Sequence, residues 1–235
     1  MTFNAEQKRE AHVRDIFTRI ASRYDLMNRI MSGGRDIFWR KRMLRKVNLN
    51  PNDKVVDLGA GTGDLSCEVR RQLPGIDITA ADFTLGMMLT GRDWSGIKRC
   101  NADALHLPFA EAAFDKVISG FLVRNVEDVD LALSEQARVL KPGGRVAILV
   151  MTRPRKNVLT PFINLFLNRI VPFIGTLITG QKDAYTYLPN STQHFLRAEE
   201  LAEKMKNAGF LNVEFEILNF GTVAIHWGRK PGKIN

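Results

Sequence analysis

The densest run of chemically informative residues is Val55-Val56-Asp57-Leu58-Gly59-Ala60-Gly61-Thr62-Gly63-Asp64. A short apolar strand runs into a loop whose alternate glycines let the backbone turn sharply and approach a ligand closely. Asp82 then closes a second apolar stretch, at about the distance where a carboxylate accepts hydrogen bonds from ribose hydroxyls. Glycines by themselves also make ordinary turns. Strand, glycines, helix, strand and acid in that order make a nucleoside site. Two adenine-bearing ligands compete for it. A dinucleotide site spaces its last glycine further out, as GxGxxG, and holds a pyrophosphate at a helix N-terminus. Here the spacing is GxGxG, with Asp57 just before it and Asp64 just after. Two carboxylates repel a pyrophosphate but attract a sulfonium ligand that carries an ammonium group. The residues therefore predict S-adenosylmethionine, with Asp57, Gly59, Gly61 and Asp82 at its site.

Asn101-Ala102-Asp103-Ala104 and Leu107-Pro108-Phe109 follow. An acid there can accept from an adenine amino group while small residues leave room for the ring. Standing alone, the stretch also reads as a polar turn before an apolar corner.

The elements that must position these groups alternate regularly. Residues 5–47 carry helical spacing in Val13, Ile16, Ile20, Leu26, Ile30 and Met31, interrupted by Ser32-Gly33-Gly34 and resumed by Phe38, Trp39, Met43 and Leu44. Strands are expected at 54–58, 77–81, 97–101, 116–120 and 145–151. Helices are expected from the glycine loop to about 73, near 85–90 and over 129–139, with Lys141-Pro142-Gly143-Gly144 as a turn. A helix at 198–208 stops at Gly209, and strands at 213–220 and 223–228 close the chain. Strands separated by helix-length segments predict an α/β fold with a mostly parallel, doubly wound sheet of seven strands and helices on both faces. Residues 1–50 form an N-terminal helical cap, 51–235 the sheet domain with an insertion at about 155–197, and the whole is one structural domain.

The 235 residues suit one domain, and 45% apolar with 25% charged residues excludes disorder as the default. Cys67 and Cys100 suggest no disulfide framework, and the polar start MTFNAEQKREAHVRD has no signal-peptide core, so a cytoplasmic location is expected. The net charge of +9 admits nucleic acid or an anionic membrane surface as partner. No separate RNA-binding module stands out, and the Asn-Pro-Pro-aromatic motif of base amino methylation is missing after the fourth strand, so no nucleic-acid partner is expected. The apolar stretch 161–180, PFINLFLNRIVPFIGTLITG, would bury Arg169 in hydrocarbon if it spanned a bilayer. It reads instead as a helical lid over an apolar pocket or as a segment resting on a membrane surface. Arg35, Arg40, Lys41, Arg42, Arg45 and Lys46 either face lipid phosphates or form a solvated helix face. His12, His106 and His226 have no metal-ligand spacing, His194 reads as surface or as a proton acceptor, and no metal is expected.

The chain resembles the ubiquinone/menaquinone biosynthesis C-methyltransferases, which are class I methyltransferases with a Rossmann-like fold. The stretches that carry the resemblance are Arg23-Tyr24-Asp25-Leu26-Met27-Asn28, DLGAGTGDL from Asp57, Asp82 with Met88 and Gly91-Arg92, Asp103-Ala104 with LPF, and Phe114-Asp115. Arg124-Asn125-Val126, Arg138 to Gly144 and GTVAIHWGRK from Gly221 complete them. Tyr185 to Ser191 looks more like the menaquinone branch. The resemblance implies methyl transfer from S-adenosylmethionine to a ring carbon of demethylmenaquinol, a polyprenyl quinol, with Thr62, Asp82, Asp103 and Ala104 touching the cofactor. It implies peripheral contact with an anionic membrane surface and is compatible with a homodimer. Gly120 stands where a cofactor-contacting serine is common, leaving a backbone contact there. Leu122 stands where glycine is usual and Val150 where glutamate is usual, and both are expected to face the reaction site.

A quinol carbon becomes nucleophilic when the neighbouring hydroxyl loses its proton, and a phenol has a pKa of about 10. A cation lowers that value. Arg124 is the candidate, with Asn125 as an orienting donor; the alternative is an ion pair of Arg124 with Asp128. Tyr24 either closes the site, touches the methionine end, or only packs. Other phenolic acceptors, and a cofactor-binding scaffold without turnover, are the rival functions.

Overall fold

The computed structural model describes residues 5–90, 93–153, 161, 165, 169–179 and 195–232, with backbone alone at 5–13 and 179. Most of the expected insertion at 155–197, including Tyr185 to Ser191 and His194, lies outside the described residues, as do Gly91 and Arg92.

Seven strands form one sheet: β1 (Lys54–Leu58), β2 (Asp77–Asp82), β3 (Lys98–Asn101), β4 (Phe114–Gly120), β5 (Leu140–Met151), β6 (Leu211–Leu218) and β7 (Val223–Arg229). Their order is β3-β2-β1-β4-β5-β7-β6. β1 to β5 run parallel, and β7 is antiparallel to both β5 and β6. The helices are α1 (Ala5–Ser32), α2 (Arg35–Val47), α3 (Asp64–Gln72), α4 (Leu85–Leu89), α5 (Val129–Val139), α6 (Val171–Thr179) and α7 (Ala198–Asn207). The expected α/β architecture is therefore present.

Period-two alternation divides the core into two layers. Val55, Ala147, Leu149 and Ile225 pack with Trp39, Met43 and Leu44 of α2 and Leu65 and Val69 of α3. Val56, Leu58, Val146, Ile148 and Val150 pack on the opposite face with Leu133 of α5 and Leu201 and Met205 of α7. Burial on both faces explains why these strands read as continuous apolar runs. α1 makes a third cluster with α6, in which Ile16, Ile20 and Met27 meet Val171.

The Lys141 to Gly144 turn lies inside β5 rather than before it. Leu140 already pairs with Phe114, and the ladder resumes only at Arg145 opposite Lys116, so the turn is looped out of a strand that began earlier. Asp115 secures it by accepting from Lys141 Nζ at 2.8 and 2.9 Å and from Lys54 N at 2.9 Å. The FD and LKPGG motifs thus clamp the amino-terminal ends of the central strands β1, β4 and β5, opposite the end where the cleft opens.

His226 on β7 is fully buried, with Nε2 donating to Ala198 O at 2.8 Å and its ring stacked on Phe215. Burial pushes its pKa down to about 4. The unfolded chain, with a value of about 6.5, takes up a proton first as pH falls. Stability is therefore unaffected above that value and is lost as pH falls toward the folded value, by about 2 kcal/mol at about pH 5. Urea unfolding at neutral and acidic pH should show wild type losing that much more than His226→Gln. Equal losses would remove the effect.

Candidate functional site

The strand order reverses between β1 and β4, and a cleft opens beyond the carboxyl ends of β1, β2 and β4, where open α/β sheets bind ligands. Asp57, Gly59, Gly61, Thr62, Asp82, Asp103, Ala104 and Gly120 all line it. Eight residues singled out along 64 positions of sequence thus converge on one cavity.

The glycine loop is tied to β2, since Gly59 N and Ala60 N both donate to Ala81 O, at 2.8 and 3.1 Å. Gly59 has φ +68°, and a Cβ there would come within 2.8 Å of Leu122 Cβ. Gly63 has φ +89°, and its Cβ would strike the Trp94 ring at 2.5 Å. A side chain is excluded at both positions by conformation and by contact. Leu122 therefore lines the cleft and also packs on the loop.

Asp82 fixes the far side of the loop. Its Oδ2 accepts from Gly61 N at 2.8 Å and its Oδ1 from Thr84 N at 2.7 Å, while burial raises its pKa against these two donors. Asp57 is completely buried, and its Oδ2 accepts from Ser66 Oγ at 2.6 Å. Its Oδ1 is buried with no hydrogen-bond partner among the described residues. Burial, opposed by Ser66 and aided by the Asp82 charge, pushes the Asp57 carboxyl up to about 7. Asp103 Oδ1 accepts from Leu105 N at 2.9 Å, and the following corner is held by α5. There Glu135 accepts from Leu107 N, and Arg138 donates to Leu107 O and Phe109 O.

The N-terminal helices close the cleft from the other side. Thr62 Oγ1 donates to Asp25 Oδ1 at 2.6 Å, and Arg29 Nη2 to Asp64 Oδ2 at 2.7 Å. Tyr24 lines the cleft, edge-on to Phe17 with centroids 5.8 Å apart, and shares a hydrogen bond with Asn28. Burial raises its pKa, opposed by that bond and by the charges of Arg40 and Arg124.

The expected cation and its orienting donor are placed differently from one another. Asn125 lines the cleft and its Nδ2 donates to Phe121 O at 3.0 Å, holding the turn after β4. Phe121 itself has φ +63°, a conformation that costs a side-chain residue about 1 kcal/mol. Arg124 is buried, 5% exposed, behind the lining and within electrostatic range of Tyr24. Val150 is a correction: it is fully buried among α5 and α7 residues, because Leu149 and Val150 point to opposite faces of β5. A Cβ at Gly120 would meet only Leu65 Cδ2, at an ordinary 3.8 Å.

The basic residues of α2, read as lipid-facing or as a solvated helix face, divide in the structure. Arg40 is buried and lines the cleft. Arg42 donates to Glu216 at 2.7 Å, Lys46 lies 3.7 Å from the same carboxylate and over the Trp227 ring, and Arg35 donates to Asn219. The sequence marked neither Arg40 as a cleft residue nor Asp25 as the partner of Thr62.

The family model for the ubiE/COQ5 methyltransferase family matches residues 4–230. The chain belongs to that family. It is 39% identical to the ubiquinone/menaquinone biosynthesis C-methyltransferase UbiE of Desulfotalea psychrophila, covering 93% of this chain and 90% of that one. It is also 39% identical to the demethylmenaquinone methyltransferase of Thermus thermophilus, covering 92% and 100%. Among solved structures, an S-adenosylmethionine-dependent methyltransferase of Thermotoga maritima has the same fold, with a TM-score of 0.65, 20% identity and coverage of 93% and 100%. Phosphoethanolamine N-methyltransferase 2 of Haemonchus contortus, solved with S-adenosylmethionine, gives a TM-score of 0.60 at 15% identity, over 85% and 57%. The enzyme is thus a class I methyltransferase whose cofactor is S-adenosylmethionine. The cleft fits that ligand: an orphaned buried carboxylate oxygen at Asp57 suits a cationic amino-acid end, and the Asp82 carboxylate suits a ribose.

Proposed function

We propose that this methyltransferase methylates a ring carbon of demethylmenaquinol, and that the eight converging residues hold the cofactor. The observation that carries the reading is the joining of the Tyr24 hydroxyl to the cofactor cleft by helix α1, with Arg124 behind it. The names of the relatives support the acceptor. The bound cofactor supplies a methyl group on a sulfonium, and the chain's own residues do the rest. Tyr24 stays protonated because it is buried, so it donates a hydrogen bond to the quinol oxygen next to the reacting carbon. Arg124 and Arg40 stabilise negative charge growing there through the Tyr24 hydroxyl, which favours the phenolate that activates the carbon. Asn125 keeps the Phe121 turn rigid. The test is conversion of reduced demethylmenaquinone to menaquinone by the purified enzyme.

Asp57 makes the cofactor affinity pH-dependent. Its carboxyl is held near neutrality, pushed up to about 7, and a ligand carrying an ammonium group favours the carboxylate form. Raising the pH through that value therefore tightens binding of S-adenosylhomocysteine, by about tenfold between about pH 6 and about pH 8. Calorimetry should show this rise in wild type and a flat profile in Asp57→Asn; a flat wild-type profile would contradict it.

The acceptor's isoprenoid tail places it in a bilayer, and α6 suits contact with one. No charged residue lies between Val171 and Thr179. Val171 and Ile174 pack toward α1, while Phe173 and Leu177, one turn apart, are 71% and 76% exposed. Leu26 on α1 and Leu85 and Leu89 on α4 are exposed as well. Among the described residues no helix is long and apolar enough to cross a membrane. An apolar outer face on a helix that does not span fits peripheral contact with a bilayer. Replacing Phe173 and Leu177 together by serine should weaken binding to anionic vesicles by about tenfold or more. Unchanged co-sedimentation would exclude α6 as the contact.

A further inference from the structure

Among the described residues that line the cleft, the charged groups are five carboxylates, Asp57, Asp64, Asp82, Asp103 and Glu127, and a single cation, Arg40. Arg40 is 7% exposed, a burial that a guanidinium tolerates only when paired. Its Nη1 donates to Asp36 and its Nη2 lies 3.4 Å from Asp64 Oδ2. Arg29 reaches the same two carboxylates, Asp64 at 2.7 Å. The two arginines and two aspartates therefore balance in charge without any ligand. A guanidinium has five N–H donors, and these contacts engage two of those on Arg40.

The amino-acid end of S-adenosylmethionine is a zwitterion, so its subsite must offer both signs close together. At one end of the cleft Asp82 stands at the ribose-type position after β2. Near the start of the glycine loop lie Asp57, with its unpartnered buried oxygen, and Arg40. Arg40, Asp57 and Tyr24 line the same cleft, and the Arg40 charge lowers the pKa of both other groups, so the guanidinium is within electrostatic reach of each.

We propose that Arg40 is the receptor for the α-carboxylate of the cofactor, opposite Asp57 for its ammonium group. The inference rests on the assignment of S-adenosylmethionine to this cleft. The ligand carboxylate joins Asp36 and Asp64 as a third anion around the paired arginines. Occupation of the subsite then ties α2, through Arg40 and Arg29, to the α1 segment that carries Tyr24, so the methionine end helps to seat the reaction face.

Calorimetry without turnover tests this. Wild type should bind S-adenosylhomocysteine about tenfold to a hundredfold more tightly than its decarboxylated analogue, the range of a charge-assisted hydrogen bond. Arg40→Gln should bind the two alike, chiefly by losing affinity for the carboxylate-bearing ligand. Should that variant fail to fold, Asp36→Asn/Arg40→Gln removes the stranded carboxylate along with the cation and should give the same levelling. Two wild-type outcomes overturn the proposal without any variant. Equal affinity for the two ligands would show that no group reads the carboxylate. Binding of neither would bring down the cofactor assignment itself. Discrimination that survives in a folded Arg40→Gln would place the receptor elsewhere while leaving the cofactor assignment intact.

Discussion

Asp82→Ala is expected to weaken S-adenosylhomocysteine binding by at least about a hundredfold. Each carboxylate oxygen has two acceptor positions, and the protein fills one on each, with Gly61 N on Oδ2 and Thr84 N on Oδ1. One position per oxygen is left for the two ribose hydroxyls. Losing two charge-assisted hydrogen bonds to the ligand costs about 3 kcal/mol or more. The substitution also strands the two backbone N–H groups and frees the glycine loop that they hold in shape. Asp82→Asn should do little better, because on whichever side its NH2 lies it faces a backbone N–H donor, Gly61 N or Thr84 N. Calorimetry on the folded variant checks this; a loss under about fivefold would mean that the nucleoside is held elsewhere.

The second large effect should fall on turnover rather than on binding. Tyr24→Phe and Arg124→Gln are each expected to lower kcat by about a hundredfold, the scale on which one positioned donor acts on a developing oxyanion. Both should leave the S-adenosylhomocysteine Kd within about threefold, since the backbone and carboxylate contacts to the nucleoside are untouched. The pH profile separates electrostatics from packing. With Arg124 gone, the quinol oxygen loses part of the field that favours its anion, so the rise of kcat with pH should move to higher pH. Arg124→Lys should restore part of the rate at the original pH. Equal falls in affinity and rate, with an unmoved profile, would make Arg124 a core residue only.

The sequence made the sheet readable because its strands are buried on both faces, so Val55-Val56 and Val146 to Val150 stand out as unbroken apolar runs. Of the eight cleft residues, Asp57, Gly59, Gly61, Asp82, Asp103 and Ala104 were readable from strand-to-loop motifs with a physical reason, whereas Thr62 and Gly120 came from the family resemblance alone. Val150 was misplaced because the parity of a strand tells which residues share a face, but not which face meets the cleft. The looped-out Lys141 to Gly144 turn was read as preceding the fifth strand because a turn motif does not reveal the pairing of Leu140 before it.

Arg40 is the instructive miss. Asp36, Trp39, Arg40, Met43, Leu44 and Val47 are the buried residues of α2, at offsets that make one helical stripe. An acid and a base one turn apart on an otherwise apolar stripe are a legible sign of a buried ion pair. It was hidden by the neighbouring Lys41, Arg42, Arg45 and Lys46, which made the whole helix look like a basic surface. Asp25 to Thr62 and Arg29 to Asp64 had no local signal, since the contacts span 37 and 35 residues and depend on how α1 folds across the loop.

The most direct test is methyl transfer from labelled S-adenosylmethionine to reduced demethylmenaquinone in liposomes, with the product resolved by mass and by the position of the label. The structure leads to labelled menaquinone, with the methyl group on ring carbon, formed by wild type and lost in Asp82→Ala. Firm binding of S-adenosylhomocysteine with no labelled menaquinone, or a label found only as a methyl ether, would contradict carbon methylation of this quinol.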